Sequence, residues 1–287
     1  MSISQDVTFL GKGAYGIVYE GSWNGKKVAI KRIDKTEFFV LKSSTADSTN
    51  ARQQREEDNM RKLDHPNVLK LLHVEVDENF KYFYLELCEG TIGDYIRGNY
   101  AGPMPPPEAD SMYQMATGLA YIHAMCLVHR DIKDDNVLIH KSPTEGNTRL
   151  KISDFGFSKP TTASGSYSLK SGVKGTRHYF SPELLALANE QDNFGILAHQ
   201  RSNISSDIFA LGCLFCSYLN KGKHPFEDSN GFFHIPVNVT EGKYNLEGIT
   251  DPLFQSIVEG MIAADPVTRL SLDAVRLKLN PRLTQVY

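Results

Sequence analysis

No run of apolar residues in this sequence approaches the roughly 20 that a membrane-spanning helix needs; the longest, such as residues 210–215, are far shorter. Nothing in the chain is expected to cross a bilayer. The start of the sequence does not read as a leader either: Met1 is followed by Ser2, Ser4, Gln5 and Asp6 rather than by a basic patch and an apolar stretch. No secretory signal is read, and a cytoplasmic location is expected. Cysteine is scarce. The four present in 287 residues, Cys88, Cys126, Cys213 and Cys216, are too few for a disulfide scaffold, so reduced thiols are expected. Cys213 and Cys216 form a C-x-x-C, but their apolar surroundings offer no second pair or histidine cluster to complete a zinc site. Packing in a core helix is the better reading. Neither charge sign dominates: 31 Lys and Arg against 34 Asp and Glu leave −3. With both signs mixed along the chain, a basic nucleic-acid groove is not expected. No internal repeat is found.

What is there begins with a globular composition, 41% hydrophobic and 23% charged, enough for one large domain or two lobes sharing a site. Residues 7–33 alternate apolar with small or polar positions and are rich in glycine, the pattern of a twisted antiparallel sheet; Asn24-Gly25 is a hairpin signal. Residues 41–54 are polar and rich in Ser and Thr. Glu56, Met60 and Leu63 then fall at helical spacing before a stop at Asp64-His65-Pro66-Asn67, which predicts one helix laid among strands. Residues 68–76 and 81–87 read as two more strands. Beyond Thr91 the character changes: after a proline-rich break at 103–107, Met112, Met115, Leu119 and Ile122 recur at helical spacing. Residues 205–218 and 253–263 predict further helices, whereas 140–149 and 188–203 are polar and predict surface loops. The expectation is an α+β protein with a small sheet-rich lobe over residues 1–88 and a larger, mainly helical lobe over 89–287.

Gly11-Lys12-Gly13-Ala14-Tyr15-Gly16-Ile17-Val18 has the form G-x-G-x-x-G-x-V. Glycines let backbone amides come close to phosphate oxygens. A dinucleotide-binding fold would place a helix directly after such a loop, but Ile17-Val18-Tyr19 and Val28-Ala29-Ile30 continue as strands, so a flap over ATP is expected. Lys31 ends the second strand, where an unpaired ammonium would be costly to desolvate. Nucleotide phosphates and a helix carboxylate would satisfy it, with Glu56 the candidate and Glu57 the alternative. At about 3 Å and an effective dielectric near 20, such a pair is worth roughly 5 kcal/mol before desolvation is subtracted.

His129-Arg130-Asp131-Ile132-Lys133-Asp134-Asp135-Asn136 joins three residue types that phosphoryl transfer needs. An aspartate can accept a hydroxyl proton, a lysine can neutralise the moving phosphoryl group, and an asparagine can offer Mg²⁺ a neutral oxygen. Asp154-Phe155-Gly156 adds a carboxylate suited to a metal that bridges phosphates. Taken singly, each motif could be a surface turn or a glycine-rich hairpin. Their joint order, continued by Ser181-Pro182-Glu183, Asp207 and Arg269, argues against that reading.

On these motifs the chain resembles the eukaryotic protein kinases over essentially its whole length. The resemblance implies that family's bilobal fold and its ATP and Mg²⁺ chemistry. Lys133, with Gly175-Thr176 ahead of Ser181-Pro182-Glu183, is similar to the serine/threonine branch. A narrower likeness lies in Glu86-Leu87-Cys88, Tyr95, residues 171–176, Ser206-Asp207-Ile208-Phe209, His224-Pro225-Phe226 and residues 261–266. It is to the kinase domain of the inositol-requiring enzymes, the endoplasmic-reticulum unfolded-protein sensors. Members of that subfamily carry a lumenal sensor, a membrane span and a C-terminal ribonuclease domain. A chain ending at Tyr287 is expected to be a fragment of such a protein, on the cytosolic face of the membrane, or a free-standing relative. Asp134 stands where proline is usual and Ser181 where alanine is; neither change removes a catalytic group.

The family pattern implies roles residue by residue. Asp131, Lys133, Lys31 and Glu56 would be catalytic, and Asn136 and Asp154 would hold Mg²⁺. Leu10, Gly11, Lys12, Gly13, Ala14, Tyr15, Gly16, Val18, Ala29, Lys31, Glu86, Cys88 and Leu138 would bind ATP, with Leu85 as gatekeeper. Backbone groups of Glu86 and Cys88 would face the adenine edge. Glu183 and Arg269 would form a buried ion pair, and Asp207 would hold the catalytic-loop backbone. Ser166, Ser168 and Ser171 lie in a hydroxyl-rich stretch expected to be mobile when unmodified. They are the autophosphorylation candidates, with Arg130 as the expected partner of a phosphate. The implied partners are a protein substrate and a second copy of the chain, as substrate or in a homodimer. Two rivals stand beside this reading. A pseudokinase would bind nucleotide or dimerise without transfer, but Lys31, Asp131, Asn136 and Asp154 are all present. A small-molecule phosphotransferase is disfavoured by the long segment between Gly156 and Ser181, which suits docking a peptide.

Overall fold

The computed structural model of the chain describes residues 8–13, 16–35, 49–142, 146–189, 197 and 199–280. Five strands make an antiparallel sheet: β1 (Phe9–Gly13), β2 (Gly16–Trp23), β3 (Lys26–Asp34), β4 (Leu71–Val76) and β5 (Phe80–Glu86), in the order β1-β2-β3-β5-β4. Asn24 and Gly25, at φ of 50° and 73°, turn β2 into β3 with the left-handed pair that a two-residue hairpin requires. In β5, Lys81, Phe83 and Leu85 alternate inward. Lys81 tolerates burial because its ammonium meets Glu57 at 2.7 Å. That contact commits Glu57 to the sheet. Helix α1 (Thr49–Met60) begins within the polar stretch and turns Glu56, Asn59 and Met60 inward; Leu63 is buried just past its end.

The C-terminal part is mainly helical. β6 (Gly90–Thr91) enters the short α2 (Ile92–Ile96), where Thr91 and Asp94 close a capping box. α3 (Glu108–Ala124) buries Met112, Met115, Leu119 and Ile122, the stripe read from their spacing. Then follow β7 (Leu127–Val128), β8 (Val137–Lys141), β9 (Thr148–Ile152), β10 (Lys159–Pro160), β11 (Ser166–Ser168), α4 (Pro182–Asn189), β12 (Arg201–Asn203), α5 (Ser205–Leu219), α6 (Ile235–Glu241), α7 (Pro252–Met261) and α8 (Leu272–Leu279). Together they make a bilobal α+β fold. None of the described helices is long and apolar enough to cross a membrane.

α5 is buried from Ser205 to Tyr218, an all-round apolar helix of the kind that forms a core. Cys213 and Cys216 pack inside it, and burial pushes both thiols up, that of Cys216 to about 12. Two stretches read as surface loops carry strand ends instead: β8 and β9 reach into 140–149, and β12 lies within 188–203. Their residues are polar because one side of each ladder faces solvent, which composition alone cannot separate from a loop.

Candidate active site

The loop between β7 and β8 is shaped from beneath. Asp207, enclosed in the first turn of α5, accepts hydrogen bonds from the amides of His129 and Arg130, both at 2.8 Å, and lies 2.9 Å from His123 Nε2. Burial would raise this carboxyl, but His123 and His129 together hold it below the usual range. Arg130 is thereby kept at φ of 69°, a left-handed conformation that a non-glycine residue holds only when its surroundings impose it. The returning chain passes so close that a Cβ on Gly175, at φ of 123°, would collide with the Arg130 carbonyl.

Asp131 is 5% exposed and faces the cleft. Its Oδ1 accepts from the amide and hydroxyl of Thr176, at 2.9 and 2.8 Å, and its Oδ2 from Asn136 Nδ2 at 3.0 Å. Lys133 Nζ lies 3.4 Å from Asp131 Oδ2 and donates to Thr176 Oγ1 at 3.1 Å. Across the cleft, β3 presents Lys31, whose Nζ is 2.7 Å from Glu56 Oε1 and 3.8 Å from Asp154 Oδ1. Asp154 itself is left-handed, at φ of 63°, and Phe155 beside it is buried with its ring edge-on to His129 at 5.2 Å. Asn136 spends its NH₂ on the Asp131 carbonyl and carboxylate, which leaves its Oδ1 as an acceptor. With Asp154 it offers hard oxygens suited to Mg²⁺. Among the described residues no group of three or more His, Cys, Asp or Glu is arranged to hold a metal alone. Two oxygen donors leave room for the phosphate and water oxygens with which Mg²⁺ completes its shell.

The cleft between sheet and loop has a volume of about 720 Å³. Leu10, Gly11, Lys12, Val18, Ala29, Lys31, Glu86, Cys88 and Leu138 line it, as does Leu85. Gly13 ends β1 and Gly16 opens β2, paired across the hairpin; Ala14 and Tyr15 lie outside the described residues. Sequence reasoning missed Met60, Leu69 and Phe83 as cleft walls, because nothing in their local pattern separates them from ordinary core. Burial pushes the Cys88 thiol well up, so it lines the cleft as an apolar group. The Glu86 carboxylate is held by Lys151 at 2.9 Å and by the Lys70 amide at 3.1 Å.

A family model described as the protein kinase domain matches residues 4–278 of the chain. The chain belongs to the protein kinase domain family. Among curated proteins it is similar to the serine/threonine-protein kinase/endoribonuclease ire-1 of Caenorhabditis elegans, with 34% identity over 93% of this chain and 26% of the relative. It is also similar to the serine/threonine-protein kinase/endoribonuclease IRE2 of Homo sapiens, at 35% over 87% of this chain and 25% of the relative. A sensor for unfolded proteins in the ER, ire1 of Schizosaccharomyces pombe, shares 32% over 93% and 26%. The chain spans about a quarter of the length of these relatives.

In this family member, the stretch expected to be mobile carries regular structure. β11 pairs antiparallel with β12 in the register Ser166↔Asn203, Tyr167↔Ser202, Ser168↔Arg201. The cause is Tyr167, 1% exposed, which packs with Val128 and Leu169 and places its hydroxyl 3.3 Å from Ser206. Each outer serine lies beside a cation. Arg201 Nε donates to Ser166 Oγ at 2.7 Å, and Lys159 Nζ donates to the Ser168 carbonyl at 2.8 Å and to Ser171 Oγ at 3.3 Å. Arg130, the cation expected from sequence to meet a phosphate, instead donates to the Phe157 carbonyl at 2.6 Å and lies over the Tyr167 ring. The bonds from Thr176 to Asp131 were likewise not read from sequence; the Gly175-Thr176 pair was its only signal.

Proposed function

We propose that the chain transfers the γ-phosphoryl group of ATP to serine and threonine hydroxyls of proteins, including serines in its own segment 154–183. The observation that carries this reading is the convergence of Lys31, Glu56, Asp131, Lys133, Asn136 and Asp154 on one cleft, with the Lys31–Glu56 pair closed at 2.7 Å. In the reaction the acceptor oxygen bonds to the γ-phosphorus as the bond from phosphorus to the β–γ bridging oxygen breaks, and ADP leaves. Asp131 takes the hydroxyl proton. Lys133 faces the charge on the moving group, and Lys31, oriented by Glu56, holds the nucleotide's phosphates. Asn136 and Asp154 would hold Mg²⁺, which when bound neutralises phosphate charge. Thr176 orients both Asp131 and Lys133. The full complement of these groups favours an active enzyme over a pseudokinase.

Ser166, Ser168 and Ser171 are the proposed sites of autophosphorylation, with a second copy as the reacting partner. A phosphate carries about −1.5 to −2 charge and would meet Arg201 at Ser166 and Lys159 at Ser171. By likeness to a relative named as a sensor for unfolded proteins in the ER, we assign the domain to stress signalling on the cytosolic side of the endoplasmic reticulum. Radiolabelled ATP supplied to the purified chain, with and without a generic protein substrate, tests the reading. Label on protein serine or threonine is expected. Tight nucleotide binding with no label anywhere would establish the pseudokinase alternative.

A further inference from the structure

Arg97, directly after α2, spreads its guanidinium across two consecutive carboxylates of the loop that carries Asp131. NH1 donates to Asp134 Oδ2 at 3.0 Å and NH2 to Asp135 Oδ1 at 2.6 Å, with Asp94 Oδ1 3.5 Å from NH2. The other oxygen of Asp134 accepts from the Tyr179 hydroxyl at 3.1 Å, three residues past Thr176. Asp94 and Asp135 line the same cleft as Asp131 and Lys133, so the fork stands at its mouth, where chain flanking an acceptor hydroxyl must pass. Asp134 and Asp135 are 19% and 52% exposed; without a guanidinium between them they would form an acidic subsite open to solvent. Such a pair binds arginine in the two-pronged geometry that Arg97 already uses.

The backbone is cut to fit the fork. A Cβ on Gly93 would lie 2.5 Å from Asp135 Oδ1 and 2.6 Å from Arg97 NH2, side-chain tips that can move aside. Glycine at this helical position lets the ion pair close over the chain.

We propose that Arg97 is a specificity-determining residue: an internal guanidinium that fills the acidic subsite at Asp134 and Asp135, so the enzyme does not select substrates with basic residues beside the acceptor. This inference rests on the protein-kinase reading above. It makes Asp134, the residue standing where the family usually has proline, part of substrate choice.

The test uses a neutral serine peptide and a series in which one arginine is moved through its flanks. Peptide kcat/KM and the KM for ATP are measured for the parent protein, Arg97→Gln and Gly93→Ala. The second variant displaces the fork without removing a charge. In the parent protein the arginine series is expected to be phosphorylated no better than the neutral peptide. In both variants at least one arginine peptide should gain about tenfold in kcat/KM through a lower peptide KM, the size of one charge-assisted contact, with the KM for ATP unchanged. A parent protein that prefers an arginine peptide by about tenfold or more, or variants that keep the parent's preference, would overturn the inference while leaving the kinase reading intact. Transfer to no peptide and to no serine of its own would remove the kinase reading and this inference with it.

Discussion

The hydroxyl of Thr176 lies between the two groups that would handle the acceptor's proton and the phosphoryl charge, 2.8 Å from Asp131 Oδ1 and 3.1 Å from Lys133 Nζ. Hydrogen bonds to charged groups contribute about 1.5–3 kcal/mol, so Thr176→Val should lower kcat about tenfold or more with the KM for ATP little changed, and Thr176→Ser should restore it. Steady-state kinetics of the pair decide this: equal kcat in Thr176→Val and the parent would deny Thr176 a positioning role. For Asp131→Asn the expected loss is about a hundredfold or more, the range of a positioned base. Lys31→Ala and Asp154→Asn should abolish transfer while leaving far-UV circular dichroism unchanged; substantial turnover in both would sink the assignment. The residues behind these latter predictions were legible because each motif couples residue type to spacing within a few positions. Thr176 was not, because its bond to Asp131 crosses 45 positions and the Gly175-Thr176 pair, its one local signal, does not name the partner.

Among the elements, the β11–β12 ladder sets the shape of the segment between Asp154 and Glu183, and each of its strands has only three residues. A pair so short draws little from intrinsic propensity and depends on the buried Tyr167 and on Arg201, whose NH2 donates to the Ser166 carbonyl at 3.0 Å. Phosphate on Ser166 should strengthen the pairing. Hydrogen exchange at residues 166–168 is expected to slow on phosphorylation in the parent protein but not in Arg201→Gln, and the Ser166, Ser168 and Ser171 triple alanine variant should phosphorylate substrate more slowly than the parent. Full activity of that triple variant would exclude control through these serines. Sequence pattern predicted α3 and α5 because a helix of several turns repeats its apolar stripe. The same reasoning failed at β11 and β12, whose partners lie more than 30 positions apart and whose period-2 signal ends after one repeat. At α1 the spacing of Glu56, Met60 and Leu63 pointed to the helix and favoured Glu56; Lys31 meets that carboxylate, while the alternative, Glu57, is taken by Lys81.

Over the whole molecule, the helical lobe is tied by Arg269, whose guanidinium meets Glu183 through two bonds of 2.7 Å and also donates to the carbonyls of Ser205, Ala263 and Ala264. Removing the carboxylate strands a buried cation, so Glu183→Ala should cost about 3–5 kcal/mol in chemical denaturation, and a cost below about 1 kcal/mol would show the pair to be dispensable. Acid should weaken the fold in two stages. Burial, assisted by His178, pushes His224 down to about 3, so the unfolded chain takes up a proton below about pH 6.5 that the folded chain refuses. Stability therefore falls from near pH 6.5 downward, with a limit on the order of 5 kcal/mol for this group. Asp207, its carboxyl depressed, adds its loss only below the ordinary carboxylate range, as pH falls through its folded value. Thermal melts between about pH 7 and 5 should slope less in His224→Gln than in the parent; parallel slopes would discount the histidine.

The fork at Arg97 touches Asp94, Asp134 and Asp135, and its contacts include none of Lys31, Glu56, Asp131 or Asp154. What the enzyme recognises and how it moves a phosphoryl group are thus written in separate letters. A duplicated gene could alter its clientele by one codon at position 97 or 93 and inherit the transfer chemistry whole.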